Sequence, residues 1–69
     1  MEETKFAQRV KELRAKQELS QESLARVFSV HRTTVKDWEV RGKEPSYLVL
    51  CKLAQFFDVT TDYLLGLEE

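Results

Sequence analysis

Leu19-Ser20-Gln21-Glu22-Ser23-Leu24-Ala25-Arg26-Val27-Phe28-Ser29-Val30-His31-Arg32-Thr33-Thr34-Val35-Lys36-Asp37-Trp38-Glu39 is the stretch that decides the fold of this 69-residue chain. Ser20 is a favoured N-cap type, and Glu22 places negative charge in the first turn of the helix that would follow. Leu24, Ala25 and Phe28 recur at helical spacing, so a short helix ends near Phe28 and Ser29-Val30-His31 makes the connection. The next helix is predicted from Arg32 to about Val40, with Val35 and Trp38 on its buried side. Two helices joined by so short a turn need a small side chain where they touch and an apolar one under the turn. Ala25 and Val30 supply these. With Val35 and Trp38 turned inward, Arg32, Thr33, Lys36 and Asp37 point outward.

The flanks continue the pattern. Phe6, Val10 and Leu13 predict a first helix from Lys5 to about Lys16, with Thr4 as its N-cap. Arg41 to Glu44 is a loop containing Gly42. Pro45-Ser46 opens a fourth helix, in which Leu48, Cys51, Leu53, Ala54 and Phe57 are expected to face inward. Thr60 caps a last short helix with Asp62 in its first turn and Gly66 at its C-terminal end. Two glycines and one proline offer little hairpin chemistry, while 42% apolar residues suffice for a core. The expectation is an all-α chain of five helices forming a single domain over residues 1–69.

The net charge of −1 says little, but its distribution is uneven. Residues 1–25 are neutral. Residues 26–43 carry Arg26, Arg32, Lys36, Arg41 and Lys43 against Asp37 and Glu39, and residues 44–69 are acidic. A basic middle of this kind is what a phosphate-facing surface produces. One cysteine, Cys51, excludes an internal disulfide, and with His31 as the one histidine a zinc site lacks ligands. The same shortage argues against an enzyme, and no cofactor, metal or small-molecule site is expected. No apolar run reaches the roughly 20 residues of a membrane span, so a soluble, intracellular protein is expected.

Together, Phe6…Val10-Lys11-Glu12-Leu13-Arg14, Leu19 to Ala25, Val30…Thr33-Thr34-Val35…Trp38-Glu39, Pro45-Ser46, Leu53-Ala54, Phe57-Asp58-Val59 and Asp62-Tyr63-Leu64-Leu65-Gly66 carry a family resemblance. In this order and spacing the sequence resembles the lambda-repressor-like, Cro/repressor-type helix-turn-helix family, over nearly its whole length. The motif itself occupies about residues 20–41. The resemblance implies a sequence-specific regulator of transcription, most often a repressor, bound to double-stranded DNA. The third helix would enter the major groove with its N-terminal residues on base edges.

That docking assigns roles. Arg32 is the first candidate for base readout, because a guanidinium matches the two acceptors of guanine. Thr33 and Thr34 could meet a thymine methyl or a phosphate, and Lys36 a guanine or a phosphate. The resemblance implies that the Gln21 amide, at the front of the second helix, bonds both the backbone and a base-contacting side chain. This puts Gln21 in the base-contacting set, while the helix N-terminus faces a phosphate. Ser20 divides its hydroxyl between capping and phosphate, Arg41 and Lys43 are phosphate clamps, and His31 could donate to phosphate when protonated. Asp37 is best explained by an intramolecular pair with Lys36 or Arg41. Arg14 and Glu39 sit where relatives carry a partly buried ion pair, a structural element.

Three positions depart from the pattern: His31 replaces the usual Ser or Thr cap, Ser29 the usual turn glycine, and Gly42 lies one position late. A homodimer on half-sites about 34 Å apart is expected by resemblance, with Tyr63 and Leu67 at its interface and Val59 and Leu64 in the core. A bacterial, phage or mobile-element origin and a cytoplasmic location follow from the same reading. The alternative is a protein-interaction module on this fold, of antitoxin or anti-repressor type, supported by the acidic tail and modest net charge.

Overall fold

The computed structural model describes residues 4–68. Within them the chain forms α1 (Lys5–Lys16), α2 (Gln21–Val27), α3 (Arg32–Lys36), a π-helical turn (Asp37–Arg41), α4 (Tyr47–Phe57) and α5 (Thr61–Leu65). Four helices start on hydroxyl caps that accept the backbone N–H three residues on: Thr4 from Ala7, Ser20 from Ser23, Ser46 from Val49 and Thr60 from Tyr63. Each cap satisfies a donor that the helix itself leaves unpaired. His31 precedes α3 without a side-chain cap bond, as expected of a poor capping residue.

The core is assembled from one stripe per helix. Phe6 and Val10 of α1, Leu24 and Ala25 of α2, Val35 of α3, Trp38, then Leu53, Ala54 and Phe57 of α4 and Leu64 of α5 are buried together. Ala25 is buried, and the N–H of Val30 returns to its carbonyl at 3.0 Å. Phe28 and Val30 are only half-buried, packed on the rim of the core. The Phe28 ring stands edge-on to Trp38 and to Phe56, with centroids 6.2 and 5.7 Å away. These contacts seat the α2–α3 pair on α4, in the edge-to-face geometry that aromatic quadrupoles favour.

Two expectations are corrected. Leu48 is 61% exposed and faces outward. The inward stripe of α4 is set by Leu53 and Phe57, one turn apart, and Leu48 lies about 140° around the helix from Leu53. Cys51 is half-buried. Secondly, α3 does not continue as α-helix to Val40, because after Lys36 the backbone widens into the π turn. The N–H groups of Gly42 and Lys43 both return to the carbonyl of Asp37. A π turn takes up one residue more than an α turn. It therefore carries the left-handed C-cap to Gly42 (φ +63°), one position beyond where the family resemblance puts the glycine. A Cβ at Gly42 would lie 2.9 Å from the Thr4 side chain, so glycine is favoured there by contact as well as by φ.

Ser29 occupies the left-handed region at φ +55°, where the resemblance expects glycine. A non-glycine residue there costs roughly 1 kcal/mol. Ser29→Gly should therefore raise stability by about that amount, or about 4–8 °C in Tm for a domain of this size. Thermal unfolding followed by circular dichroism checks this, and an unchanged or lower Tm would show that the serine conformation carries no strain.

Candidate nucleic-acid interface

The front of α3 follows from which of its residues are buried. Val35 lies in the core, and Trp38 and Glu39 are buried one turn later. Consequently Arg32, Thr33 and Lys36 are exposed on the opposite side, and His31 is exposed just before them. Thr34 is half-buried and lines a cleft of about 190 Å³ with Val30, Asp37, Lys43 and Pro45. Arg41, the last residue of the π turn, and Lys43, in the loop after it, are both exposed.

The charges on this face are unequally available. Arg41 Nε lies 3.7 Å from Asp37 Oδ1, the intramolecular pair expected for Asp37. Arg26, counted in the basic middle of the sequence, is bound at 2.8 Å to Glu22 one turn earlier. Arg32, Lys36 and Lys43 form no ion pair among the described residues. Exposed cations without intramolecular partners are the ones whose charge a phosphate or a base acceptor can use at little cost.

Behind the face lies a buried polar clasp. Glu39 is 1% exposed, and its carboxylate accepts Arg14 Nε at 2.6 Å and Arg14 Nη2 at 3.0 Å. Arg14 Nη1 donates in addition to the carbonyl of Leu19 at 2.7 Å. One guanidinium thus ties α1 to the turn before α2 and to the π turn after α3. The hydrogen bond to Glu39 is the main influence raising the Arg14 pKa above its ordinary value; burial opposes it, and the charge attraction adds to it. The pair is more deeply buried on the Glu39 side than the sequence reading expected. Glu39 also accepts a third bond, from Gln21 Nε2 at 3.1 Å.

At the N-terminus of α2, the Ser20 hydroxyl caps the backbone and donates to Ser23 Oγ at 2.9 Å. Its proton is therefore already in use, and Ser23 emerges as a hydroxyl at this helix end that sequence reading did not single out. On the far side, Arg9 Cζ lies 4.1 Å from the centroid of the Tyr63 ring, and its guanidinium donates to the carbonyls of Tyr63 and Glu68. One face of Tyr63 is thereby covered within the chain, whereas Leu67 is 73% exposed. No sequence signal links Arg9 to residues 54 and 59 positions away.

A family model described as helix-turn-helix matches residues 10–64, spanning α2, its turn and α3. The chain belongs to this helix-turn-helix family. It is 33% identical over 64 residues to an uncharacterized helix-turn-helix transcriptional regulator of Bacillus subtilis, YobD, a match that covers 93% of this chain and 57% of the relative. It is 38% identical over 64 residues to the transcriptional activator BcrR of Enterococcus faecalis, covering 93% of this chain and 31% of that protein. The crystal structure of the restriction-modification controller protein C.AhdI from Aeromonas hydrophila superposes with a TM-score of 0.75 at 36% identity, covering 88% of this chain and 92% of that one. The helix-turn-helix chain spans between 31% and 57% of the length of the curated relatives it matches. Among the described residues its architecture of five α-helices is thus that of the Cro/repressor type. Among its described residues no helix is long and apolar enough to cross a membrane, and no group of His, Cys, Asp and Glu could hold a metal ion.

Proposed function

We propose that this chain binds double-stranded DNA in a sequence-dependent way as a transcriptional regulator, with α3 in the major groove. The observation that carries the reading is the free cationic front of α3. Arg32 and Lys36 lie one turn apart, exposed and unpaired among the described residues, over a rigid backing of Val35 and Trp38. Arg32, Thr33, Lys36 and Gln21 are the base-contacting set, and Arg32 is matched to guanine O6 and N7. Lys43, Arg41, Thr34, His31 and the Ser20 end of α2 hold the phosphates and fix register. Arg41 must exchange its Asp37 partner for phosphate, so Lys43 carries more of the backbone attraction.

The relatives' names support regulation of transcription, and repression is the mode we propose from the family resemblance. We place the chain in the cytoplasm of a bacterium, acting through binding and not through a reaction of its own. A two-fold homodimer on half-sites about 34 Å apart is the assembly proposed. Leu67 supplies its apolar contact and the outer face of Tyr63 its edge.

Salt dependence tests the reading. If several phosphates are contacted, log K for a duplex should fall linearly with log salt. Lys43→Ala should weaken all duplexes alike and reduce that slope by about one. A shift in base preference would instead make Lys43 a reader. Binding insensitive to salt would contradict the DNA reading and leave a protein-interaction module on the same fold.

A further inference from the structure

Gln21 and Glu39 lie 18 residues apart, yet the Gln21 carboxamide nitrogen donates to Glu39 Oε1 at 3.1 Å. Glu39 is itself immobilised by the two-point grip of Arg14 and is 1% exposed. The other end of the Gln21 amide has different surroundings. Its Oε1 accepts no hydrogen bond among the described residues, and none of their buried side-chain polar atoms is left without a partner. Gln21 Oε1 is therefore open to solvent. Flipping the amide would set this acceptor against the Glu39 carboxylate, another acceptor, so the amide has one favoured orientation.

We propose that Glu39 is a positioning residue for DNA recognition: held by Arg14, its buried carboxylate fixes Gln21 with nitrogen inward and carbonyl oxygen outward. The outward edge then offers an acceptor beside the remaining N–H. That is the pattern a glutamine needs for the N6 amine and N7 of adenine. A freely rotating glutamine would present this edge only part of the time, so the clasp acts as preorganisation. This inference rests on the DNA-binding reading above and extends it from the surface into the core.

The test is a double-mutant cycle on duplex affinity at a temperature where circular dichroism shows every variant folded. Glu39→Gln keeps an oxygen for Arg14 but turns an N–H toward Gln21, which favours the reversed amide. Affinity for the preferred duplex should fall about 10-fold in Glu39→Gln and in Gln21→Ala, and no further in the double variant. Additive losses would mean that Glu39 acts on the fold alone and would overturn the proposal. Loss of duplex binding by the unaltered chain would instead remove the DNA reading itself. Should Glu39→Gln not fold, NMR on the unaltered chain decides. One Gln21 side-chain amide proton should exchange with water well below the free-amide rate, and two freely exchanging protons would contradict the clasp.

Discussion

Arg14→Ala is expected to be the most destabilising single change, with a loss of about 3–5 kcal/mol. The guanidinium supplies two of the three hydrogen bonds received by the Glu39 carboxylate, which has almost no access to water. Removing it leaves a buried charge with Gln21 as its one remaining partner. The Leu19 carbonyl also loses its donor, loosening the turn that leads into α2. A single core in a chain this short rarely supplies more than about 3–5 kcal/mol in total. The expected outcome is therefore a Tm lowered by roughly 10–40 °C, or no cooperative transition at all. Replacing both partners, as Arg14→Met with Glu39→Met, removes the stranded charge along with the pair and should be less damaging than Arg14→Ala alone. Chemical denaturation of the three proteins measures the difference. A single-variant loss below about 1 kcal/mol would show that the clasp does not hold α1 to the recognition unit.

Arg32→Ala should produce the largest change in recognition without changing stability, because the side chain is exposed and makes no intramolecular bond among the described residues. A bidentate arginine–guanine contact contributes about 1–3 kcal/mol of discrimination, equivalent to roughly 5–150-fold in affinity for the preferred duplex. Binding to unrelated duplexes rests on phosphates and should be nearly unaffected. The expected signature is a collapse of the ratio between preferred and unrelated DNA, measured by anisotropy titrations at one fixed salt concentration. Equal losses on both would assign Arg32 to the phosphates. Comparison with Lys43→Ala separates the roles, since that variant should lower both affinities and leave the ratio intact.

The parts of this molecule that were legible in the sequence are those governed by local chemistry. Hydroxyl caps at Thr4, Ser20 and Thr60 could be assigned because a cap needs only its own next three residues. Val35 could be assigned because polar neighbours flank it on both sides, and Leu24, Ala25 and Phe28 because they keep helical spacing. Leu48 could not be placed this way. It begins the run Leu48-Val49-Leu50-Cys51, apolar around most of a turn, so periodicity there does not select a face. The π turn was hidden for a related reason, since Val35, Trp38 and Glu39 share a face whether or not the backbone widens after them. Its one trace was the late position of Gly42. The candidate site divides along the same line. Exposure of Arg32, Thr33 and Lys36 followed from helical spacing. The bond from Gln21 to Glu39 and the covering of Tyr63 by Arg9 depend on how the chain folds back, which spacing does not encode.

Selection of bound duplexes from a random DNA pool shows whether this chain distinguishes one DNA sequence from another. If α3 reads base edges, the retained duplexes should converge on one motif, with guanine opposite Arg32. Duplexes recovered with the same base composition as the starting pool would contradict it, and would leave this face a surface that attracts DNA without reading it.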